Sequence, residues 1–312
     1  MLAIIYVLGP TCCGKSDVGI AIATEADGEI ISADSMQVYR GFDIGTAKLP
    51  PGERGGIPHH MIDCCDPVET FSAGEFQARA DRLIGEISGR GRLPIVVGGT
   101  GLYLRALLLG LAAVGPADAA VRERLRRRAG RNGIAAAHRL LRRLDPPTAR
   151  RLPPGDGQRI LRALEYRVRT GRRLSDAISR RPFGSERYEA LKIGLRIERS
   201  ELRRRIDRRV DFMFAQGWVE EVEALLAAGC PPDAQAFAAI GYRDIIKYLN
   251  KEVTLEQAKE SIKKATHQFL KRQETWFRSE RNVNWVDASS PRTARDEAIN
   301  LAKELGAGRA GG

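Results

Sequence analysis

The chain has 312 residues, of which 43% are hydrophobic and 29% charged, and its formal net charge is +12 at pH 7. This length and apolar content suit one large core with an added subdomain and exclude an intrinsically disordered chain. No stretch approaches eighteen apolar residues and no basic leader precedes the first predicted strand, so we expect a cytoplasmic protein with no membrane partner. Five cysteines, with two adjacent pairs, favour reduced thiols over a disulfide framework.

Short apolar stretches alternate with helical patterns through the first third of the chain, which is typical of a parallel sheet with crossover helices. After Gly110 the pattern changes to Arg-, Ala- and Leu-rich helices with Pro and Gly breaks. We therefore predict an α/β fold in which residues 1–114 and 186–312 form the core and residues 115–185 an inserted helical subdomain. The predicted strands are 2–8, 29–33, 60–63, 93–97, 188–195 and 282–286, and later helices start at Arg199, Trp218, Tyr242 and Thr254.

The first strong motif lies between a predicted strand and a predicted helix. Residues 9–16 fit the phosphate-loop pattern G-x-x-x-x-G-K-[ST]. Its glycines allow backbone N–H groups to surround phosphate oxygens, Lys15 adds a positive charge, and the Ser16 hydroxyl reaches a bound Mg²⁺. The motif predicts a di- or triphosphate site formed by Gly9, Pro10, Thr11, Cys12, Cys13, Gly14, Lys15 and Ser16. It does not say whether the phosphate is transferred, hydrolysed or released.

Two further signals follow strands that belong beside this loop. Asp34 stands at the carboxyl end of the second strand, where ligands of parallel sheets bind, and this position suits a catalytic carboxylate. A helix N-cap or an indirect Mg²⁺ ligand are its alternative roles. Residues 98–101, Gly-Gly-Thr-Gly, follow the next long strand. Their glycines permit close approach of a ligand, and Thr100 offers a hydroxyl, although an ordinary capped turn has the same sequence.

Positive charge is concentrated in the middle of the chain. Residues 122–209 carry 28 Lys and Arg against 10 Asp and Glu, a balance of +18, while the rest of the chain sums to −6. Such a region favours a polyanionic partner, and a nucleic acid suits it better than a membrane surface. A solvated helical face in an Arg-rich proteome is the alternative.

Longer blocks of the sequence resemble the bacterial tRNA dimethylallyltransferases. The resemblance covers residues 3–286 and is carried, in the family's order, by residues 9–16, 31–41, 43–48, 59–63, 98–103, 156–165, 239–243 and 271–278. The most specific blocks are Asp-Ser-Met-Gln-Val-Tyr at 34–39 and Lys-Arg-Gln-Glu-Thr-Trp-Phe-Arg at 271–278. No zinc-finger segment follows residue 286, which favours the bacterial branch.

The resemblance implies a P-loop-containing nucleoside triphosphate hydrolase-like core and a prenyltransferase activity. The dimethylallyl group of dimethylallyl diphosphate would pass to N6 of adenosine 37 in the tRNA anticodon stem-loop, with Mg²⁺ as cofactor and pyrophosphate as the leaving group. Asp34 would accept the N6 proton, Thr11 and Lys15 would hold the diphosphate, and Arg209 would close on it, although neighbouring Arg208 leaves that register open. Nothing indicates an obligate dimer, so we expect a monomer.

The resemblance also implies a set of tRNA contacts. They are Asp34, Ser35, Met36, Gln37, Thr100, Arg122, Gln158, Arg159, Ile160, Leu161, Arg162, Ala238, Ala239, Ile240, Gly241, Tyr242, Arg243, Lys271, Arg272, Gln273, Glu274, Thr275, Trp276, Phe277 and Arg278. For each arginine, a surface salt bridge is the alternative role. Of the aromatic residues, Tyr242 and Trp276 are the two expected near RNA. Cys12 and Cys13 stand where the family has small residues, and His267 where it often has Arg.

Two other functions fit parts of this pattern. A small-molecule phosphotransferase would place ATP in the loop and use Asp34 as base for a hydroxyl acceptor. That reading leaves the basic segment unexplained. A nucleotide-gated RNA-binding module explains the basic segment but gives Asp34 no task.

Overall fold

The computed structural model describes residues 1–111, 115, 118–180 and 186–310. The chain divides into two compact units, one of residues Leu109–Ser185 and one of Met1–Leu108 with Glu186–Gly312. The predicted subdomain limits at residues 114 and 185 lie outside the described residues. The two units are considered separately below.

The larger unit contains a six-stranded, entirely parallel sheet, so the predicted α/β class is confirmed. The strand order is β3-β2-β4-β1-β5-β6. The bounds are β1 Ala3–Leu8, β2 Gly28–Ser32, β3 His59–His60, β4 Leu93–Gly98, β5 Glu189–Arg196 and β6 Val283–Asp287. The predicted strand at 60–63 is wrong in extent, because Met61 and Asp63 take φ angles of 63° and 52° that end extended pairing.

Helices cover both faces of this sheet, since all six residues of β1 are buried. In the first half these are α1 Lys15–Glu25, α2 Ala73–Gly89 and α3 Gly101–Leu109. Ile5 and Val7 of β1 share one hydrophobic cluster with Ile22 of α1. Because side chains alternate along a strand, Tyr6 lies on the other face, where it is fully buried. The sheet therefore holds its carboxyl edge, where β1, β2 and β4 end, as one rigid platform.

The second half of this unit adds five helices: α9 Arg199–Ala215, α10 Trp218–Ala227, α11 Tyr242–Leu249, α12 Leu255–Phe277 and α13 Pro291–Ala310. The predicted starts of the first four agree with these bounds. Helix α12 begins at a capping box, in which Thr254 and Gln257 exchange side-chain to backbone hydrogen bonds. Across the part of the chain that the structure describes, no helix is both long and apolar enough to cross a bilayer.

Helices α9 and α12 pack as an antiparallel pair joined by ion pairs. Asp211 meets Lys263 at 2.6 Å, Asp207 meets His267 at 2.9 Å, and Arg199 meets Glu274 at 3.6 Å. As the position rises along α9, its partner falls along α12. This register fixes which residues of the two helices face each other.

The smaller unit consists of helices α4 Ala119–Asn132, α5 Ile134–Leu144, α6 Pro146–Arg151, α7 Gly157–Thr170 and α8 Leu174–Arg180. Its core is a separate apolar cluster that includes Leu141, Ile160 and Leu164. Aspartates cap three of the helices: the side chains of Asp118, Asp145 and Asp156 accept backbone N–H groups of the first turns.

Candidate active site

The phosphate loop joins β1 to α1, and its glycines occupy positions closed to side chains. At Gly9, with φ 152°, a Cβ atom would lie 2.8 Å from Cys13 Sγ and 2.9 Å from the Leu195 carbonyl oxygen. Gly14, with φ 88°, immediately precedes the first residue of α1. The unpaired N–H groups of the α1 N-terminus therefore follow a buried strand, the arrangement that binds phosphate oxygens.

Side chains from the loop and from α9 complete this cradle. Lys15 Nζ donates to the Pro10 carbonyl at 2.6 Å, so its ammonium lies across the loop. Arg209 Nη1 contacts Cys12 Sγ at 3.6 Å, whereas Arg208 is exposed. Arg209 is thus the residue of the pair that reaches the loop. Burial raises the pKa of the Cys13 thiol, which outweighs the opposing charge of Lys15, so this thiol is neutral at pH 7.

Asp34 lies two residues beyond β2, and its two carboxylate oxygens have different environments. Oδ1 accepts hydrogen bonds from the backbone N–H groups of Met36 at 2.8 Å and Gln37 at 3.4 Å. Among the described residues, Oδ2 has no hydrogen-bond partner. The side chain is thus fixed by one oxygen, and the other is available for a further hydrogen bond.

One cavity of about 290 Å³ in the larger unit connects these groups. Thr11, Asp34, Thr100 and Arg209 line it. Its remaining wall is largely apolar and includes Ile206, Val210, Met213, Trp218, Ile262 and Phe269. An anion cradle beside an apolar wall suits a ligand with a charged head and a hydrocarbon tail.

The glycines of residues 98–101 make room for neighbouring parts of the protein, and Gly99 also lines the cavity. A Cβ at Gly98 would lie 2.3 Å from the Ala33 carbonyl oxygen, one at Gly99 2.5 Å from Gln273 Nε2, and one at Gly101 2.2 Å from the Trp276 ring. Gln273 uses this closeness to donate to the Gly99 carbonyl at 3.1 Å. Helix α12 therefore packs directly against this turn. Thr100, within the turn, lines the cavity.

A loop at residues 43–47 forms another wall of the cavity and is held by Glu221 of α10. The Glu221 carboxylate accepts backbone N–H bonds from Asp43 at 3.0 Å, Ile44 at 2.6 Å and Gly45 at 3.4 Å. It also accepts the Tyr242 hydroxyl at 2.6 Å. Four donors on one carboxylate make it a strong anchor, since hydrogen bonds to charged groups are the stronger ones.

The same loop packs against the indole of Trp218. A Cβ at Gly45 would lie 2.1 Å from Trp218 Nε1, and one at Gly241 would lie 2.2 Å from the other edge of that ring. From the other side, Gln37 Nε2 donates to the carbonyls of Thr46 and Ala47 at 3.2 and 3.3 Å. Gln37, expected as a tRNA contact, thus holds the cavity wall through its side-chain amide.

The segments expected to contact tRNA in the larger unit contain both surface and core side chains. Arg243, Lys271, Arg272 and Arg278 are exposed. Ser35, Met36, Ile240, Glu274 and Trp276 are half-buried, Ala238 and Thr275 are exposed, and Ala239, Gly241, Gln273 and Phe277 are buried. The Arg105 guanidinium lies 4.8 Å from the Trp276 ring centroid. The exposed members are therefore mainly cations, and the buried ones secure α12 and the residues before α11.

Tyr242 requires a correction. The sequence analysis expected it near RNA, but its side chain is fully buried, and its ring lies 4.7 Å from that of Phe42. Because its hydroxyl also donates to Glu221, this ring supports the cavity wall and is closed to stacking on a base in this conformation.

In the smaller unit, two expected tRNA contacts are ion-pair partners of a buried carboxylate. Glu165 is fully buried and binds Arg122 at 3.0 Å and Arg162 at 2.7 Å, and it accepts the Asp118 backbone N–H at 2.8 Å. Both arginines thus form salt bridges within the protein, which was the alternative to a tRNA contact. In the same segment Gln158 and Arg159 are exposed, Leu161 is half-buried, Ile160 is buried, and Arg159 pairs with Asp156.

The phosphate loop could supply only one or two of the ligands of a metal ion. Within the described ranges, no group of three or more His, Cys, Asp and Glu side chains is arranged to hold an ion. Mg²⁺ bound to phosphates keeps water ligands and needs only one or two protein oxygens. The exposed Ser16 hydroxyl in the first turn of α1 offers one such oxygen.

Comparison with known proteins agrees with this geometry. A family model described as IPP transferase matches residues 37–280, and one described as Isopentenyl transferase matches residues 2–54. A relative named tRNA dimethylallyltransferase from Symbiobacterium thermophilum is 48% identical over 307 residues, which span 97% of this chain and 96% of the relative. The chain belongs to the IPP transferase family. The resemblance seen in the sequence is thereby confirmed.

Solved structures of the IPP transferase family share the fold. A tRNA isopentenylpyrophosphate transferase from Bacillus halodurans is 38% identical with a TM-score of 0.72, over 98% of this chain and 96% of that one. A eukaryotic dimethylallyltransferase acting on tRNA is 27% identical with a TM-score of 0.84, over 99% of this chain and 80% of that one. The P-loop-type core expected from the sequence is therefore confirmed.

Several residues that build the site were missed by the sequence analysis. Glu221, Trp218 and Phe269 carry no motif, and Glu221 in particular looks like one of three glutamates on an amphipathic helix. Their roles come from contacts across long stretches of chain, so no local pattern identifies them. Lys48, whose buried ammonium donates to Asp63 at 2.6 Å and also pairs with Asp43, belongs to the same group.

Proposed function

We propose that this protein is a tRNA dimethylallyltransferase that transfers the dimethylallyl group of dimethylallyl diphosphate to N6 of adenosine 37, next to the anticodon. The observation that carries the proposal is the single cavity lined by Thr11, Asp34 and Arg209 and by an apolar wall. An isoprenoid diphosphate has the same division into a polyanionic head and a hydrocarbon tail. Family membership and the names of the relatives support the same reaction.

The phosphate loop holds the diphosphate in this proposal. The backbone N–H groups at the α1 N-terminus and the side chains of Lys15, Thr11 and Arg209 stabilise negative charge that grows as the C–O bond breaks. The Ser16 hydroxyl would hold Mg²⁺ beside the diphosphate, and the ion would neutralise part of the charge on the leaving pyrophosphate. No nucleotide is needed, because the phosphate loop here stabilises a leaving group.

Asp34 acts on the acceptor. The N6 amine attacks the allylic carbon, the bond from that carbon to the diphosphate oxygen breaks, and the N6 proton passes to Asp34. Oδ2 suits this task, since Oδ1 is occupied by the Met36 and Gln37 N–H groups. The target base must leave its stack to enter the cavity. General-base catalysis of this kind contributes about 10² to 10⁴ in rate.

Each unit carries exposed cations that would contact tRNA in this proposal. Exposed cations at Arg243, Lys271, Arg272 and Arg278, and Arg159 in residues 115–185, contact tRNA backbone phosphates. Residues 115–185 serve as a tRNA-binding subdomain, and residues 1–114 and 186–312 as the catalytic core. We infer that the enzyme acts in the cytoplasm, because its substrate tRNA is found there. We also infer that it works as a monomer.

The test is the reaction itself with an Asp34→Asn variant. Purified protein, Mg²⁺, dimethylallyl diphosphate and unmodified tRNA are mixed, and adenosine is examined by mass spectrometry for one added prenyl unit. Asp34→Asn is expected to lose about 10² in rate or more while binding tRNA normally. Asp66→Asn, which changes an exposed partner of Arg40, is the matched control and is expected to keep full activity.

Two outcomes would overturn the assignment. Phosphate transfer from ATP to a small hydroxyl acceptor, with no prenylated adenosine, would favour a phosphotransferase. Normal prenyl transfer by Asp34→Asn together with weakened tRNA binding would remove Asp34 from the chemistry.

A further inference from the structure

At one position along the interface between α9 and α12, neither helix contributes an acidic side chain. Moving toward the N-terminus of α9, its ion pairs join Asp211 to Lys263, Asp207 to His267, and Arg199 to Glu274. The antiparallel register places Arg203, midway between Asp207 and Arg199, opposite Leu270 and Lys271. At this position two cations face each other, whereas each neighbouring contact places an acid opposite a basic side chain.

A groove of about 430 Å³ opens at this level. Arg199, Arg203, Lys264, His267, Gln268, Leu270 and Lys271 line it. For Arg203, Lys264 and Lys271, the described part of the chain provides no carboxylate within the 4.0 Å ion-pair distance. Of the two acids flanking the groove, Glu274 is paired with Arg199, and Asp207 lies 2.9 Å from His267 Nε2. The groove therefore has an excess of positive charge that the protein does not balance.

The groove is distinct from the active-site cavity. Ile262, Thr266 and Gln273 of α12 line the cavity, whereas Lys264, Gln268 and Lys271 line the groove. With 3.6 residues per turn, these two sets project from different faces of one helix. A diphosphate in the loop would therefore leave the groove open to a second anion.

We propose that this groove is a binding site for a phosphate group. An arginine presents a planar fork of N–H donors that matches phosphate oxygens, and lysines add mobile point charges. The shared chemistry is that of a phosphodiester in an RNA backbone or of a free phosphate. Because Arg203, Lys264 and Lys271 are exposed, binding is salt-dependent, and a polyanion that contacts several cations gains most.

Lysine footprinting on the intact protein tests the site and separates the two sources. Acetylation of Lys264 and Lys271 is quantified by mass spectrometry alone, with unmodified tRNA, and with sodium phosphate, and exposed Lys303 on α13 serves as the internal reference. Protection of Lys264 and Lys271 by tRNA alone identifies an RNA phosphodiester. Protection by sodium phosphate as well identifies a site for free phosphate. Equal labelling with and without either probe overturns the proposal.

A pair of variants gives the quantitative form of the test. The double variant Arg203→Glu with Lys264→Glu is compared with Arg292→Glu and Arg295→Glu, which make the same charge change on the exposed side of α13. If tRNA occupies the groove, the slope of log affinity against log salt falls by about two in the first variant and stays unchanged in the second. Equal slopes in the two variants overturn the RNA form.

The RNA form of this proposal rests on the proposed function, which also places Lys271 on tRNA phosphates, but the experiments let the two fail separately. If the lysines are protected but no prenyl transfer is observed, the phosphate site is supported and the proposed activity is rejected. Prenyl transfer with no protection by either probe retains the activity and rejects the groove. Matched thermal melting of both double variants confirms that each is folded.

Discussion

Gln273 and Thr11, 262 positions apart in the chain, are joined by a hydrogen bond of 2.9 Å from the Thr11 amide to the Gln273 side-chain carbonyl. The amide of the same side chain donates to the Gly99 carbonyl at 3.1 Å. One buried glutamine thus connects helix α12 to the phosphate loop and to the turn after β4. The geometry of the phosphate loop therefore depends on a helix near the far end of the chain.

Replacing Gln273 by Ala is expected to lower kcat/KM by about 10² while most of the fold survives, because a small displacement of the loop misplaces the reacting groups. Gln273→Glu keeps the acceptor for Thr11 but loses the donor to Gly99, so an intermediate loss is expected. Steady-state kinetics with dimethylallyl diphosphate and tRNA measures both. Glu260→Ala, an exposed change on the same helix, is the control, and full activity in Gln273→Ala would show that the link does not position the loop.

Glu221 is expected to control both stability and the cavity wall. Glu221→Ala removes the acceptor of three backbone N–H groups and of the Tyr242 hydroxyl, which costs about 2 kcal/mol or more. Because the loop at 43–47 lines the cavity, kcat/KM falls as well. Urea unfolding and kinetics are compared with Glu223→Ala, an exposed change on the same helix. If the two variants are equally stable, the loop is held by other contacts.

Two glycine-to-alanine changes are expected to have opposite signs. At Gly101 a Cβ would lie 2.2 Å from the Trp276 ring, so Gly101→Ala pushes α12 away and destabilises the protein. At Gly85, within α2, a Cβ would meet nothing within 4 Å, so Gly85→Ala stabilises by about 0.5–1 kcal/mol. Thermal melting under identical conditions measures both. A neutral Gly101→Ala would mean that the indole moves freely.

Acid sensitivity is expected at Glu29, at the start of β2. Burial raises the pKa of its carboxyl, but hydrogen bonds from His60, Arg90 and Arg92 outweigh burial and hold the pKa below its usual range. The folded pKa is therefore below the unfolded value of about 4.3, so the stability that Glu29 contributes is complete above that pH. It is lost as the pH falls through the folded pKa.

The measurement for Glu29 is urea unfolding of wild type and Glu29→Gln from pH 7 downward. The variant is expected to be less stable at pH 7, and the difference is expected to shrink below about pH 4. Asp66→Asn, which removes an exposed ion pair with Arg40, is expected to show a small, flat difference. A gap for Glu29→Gln that widens in acid would reverse the sign and refute the account.

Local sequence patterns predicted the framework of the site because the framework is local. The phosphate loop, Asp34 after β2, and most strand and helix starts depend on neighbours within a few residues. Failures occurred where a distant partner decides. For the glycines at 98–101 the sequence left a ligand contact and a capped turn open, because their neighbours Gln273 and Trp276 are about 170 residues away. The family resemblance placed Tyr242 near RNA, and no local pattern shows that Phe42 and Glu221 enclose its ring.

The Glu165 cluster affects how the basic character of the chain is understood. Arg122 and Arg162 already have a counterion inside the protein, and the Glu165 carboxylate that supplies it is fully buried. A tally of cations along the chain therefore overstates the electrostatic field that an approaching polyanion meets. The charge that this helical unit presents to a polyanion comes from those arginines that have no carboxylate partner within the protein.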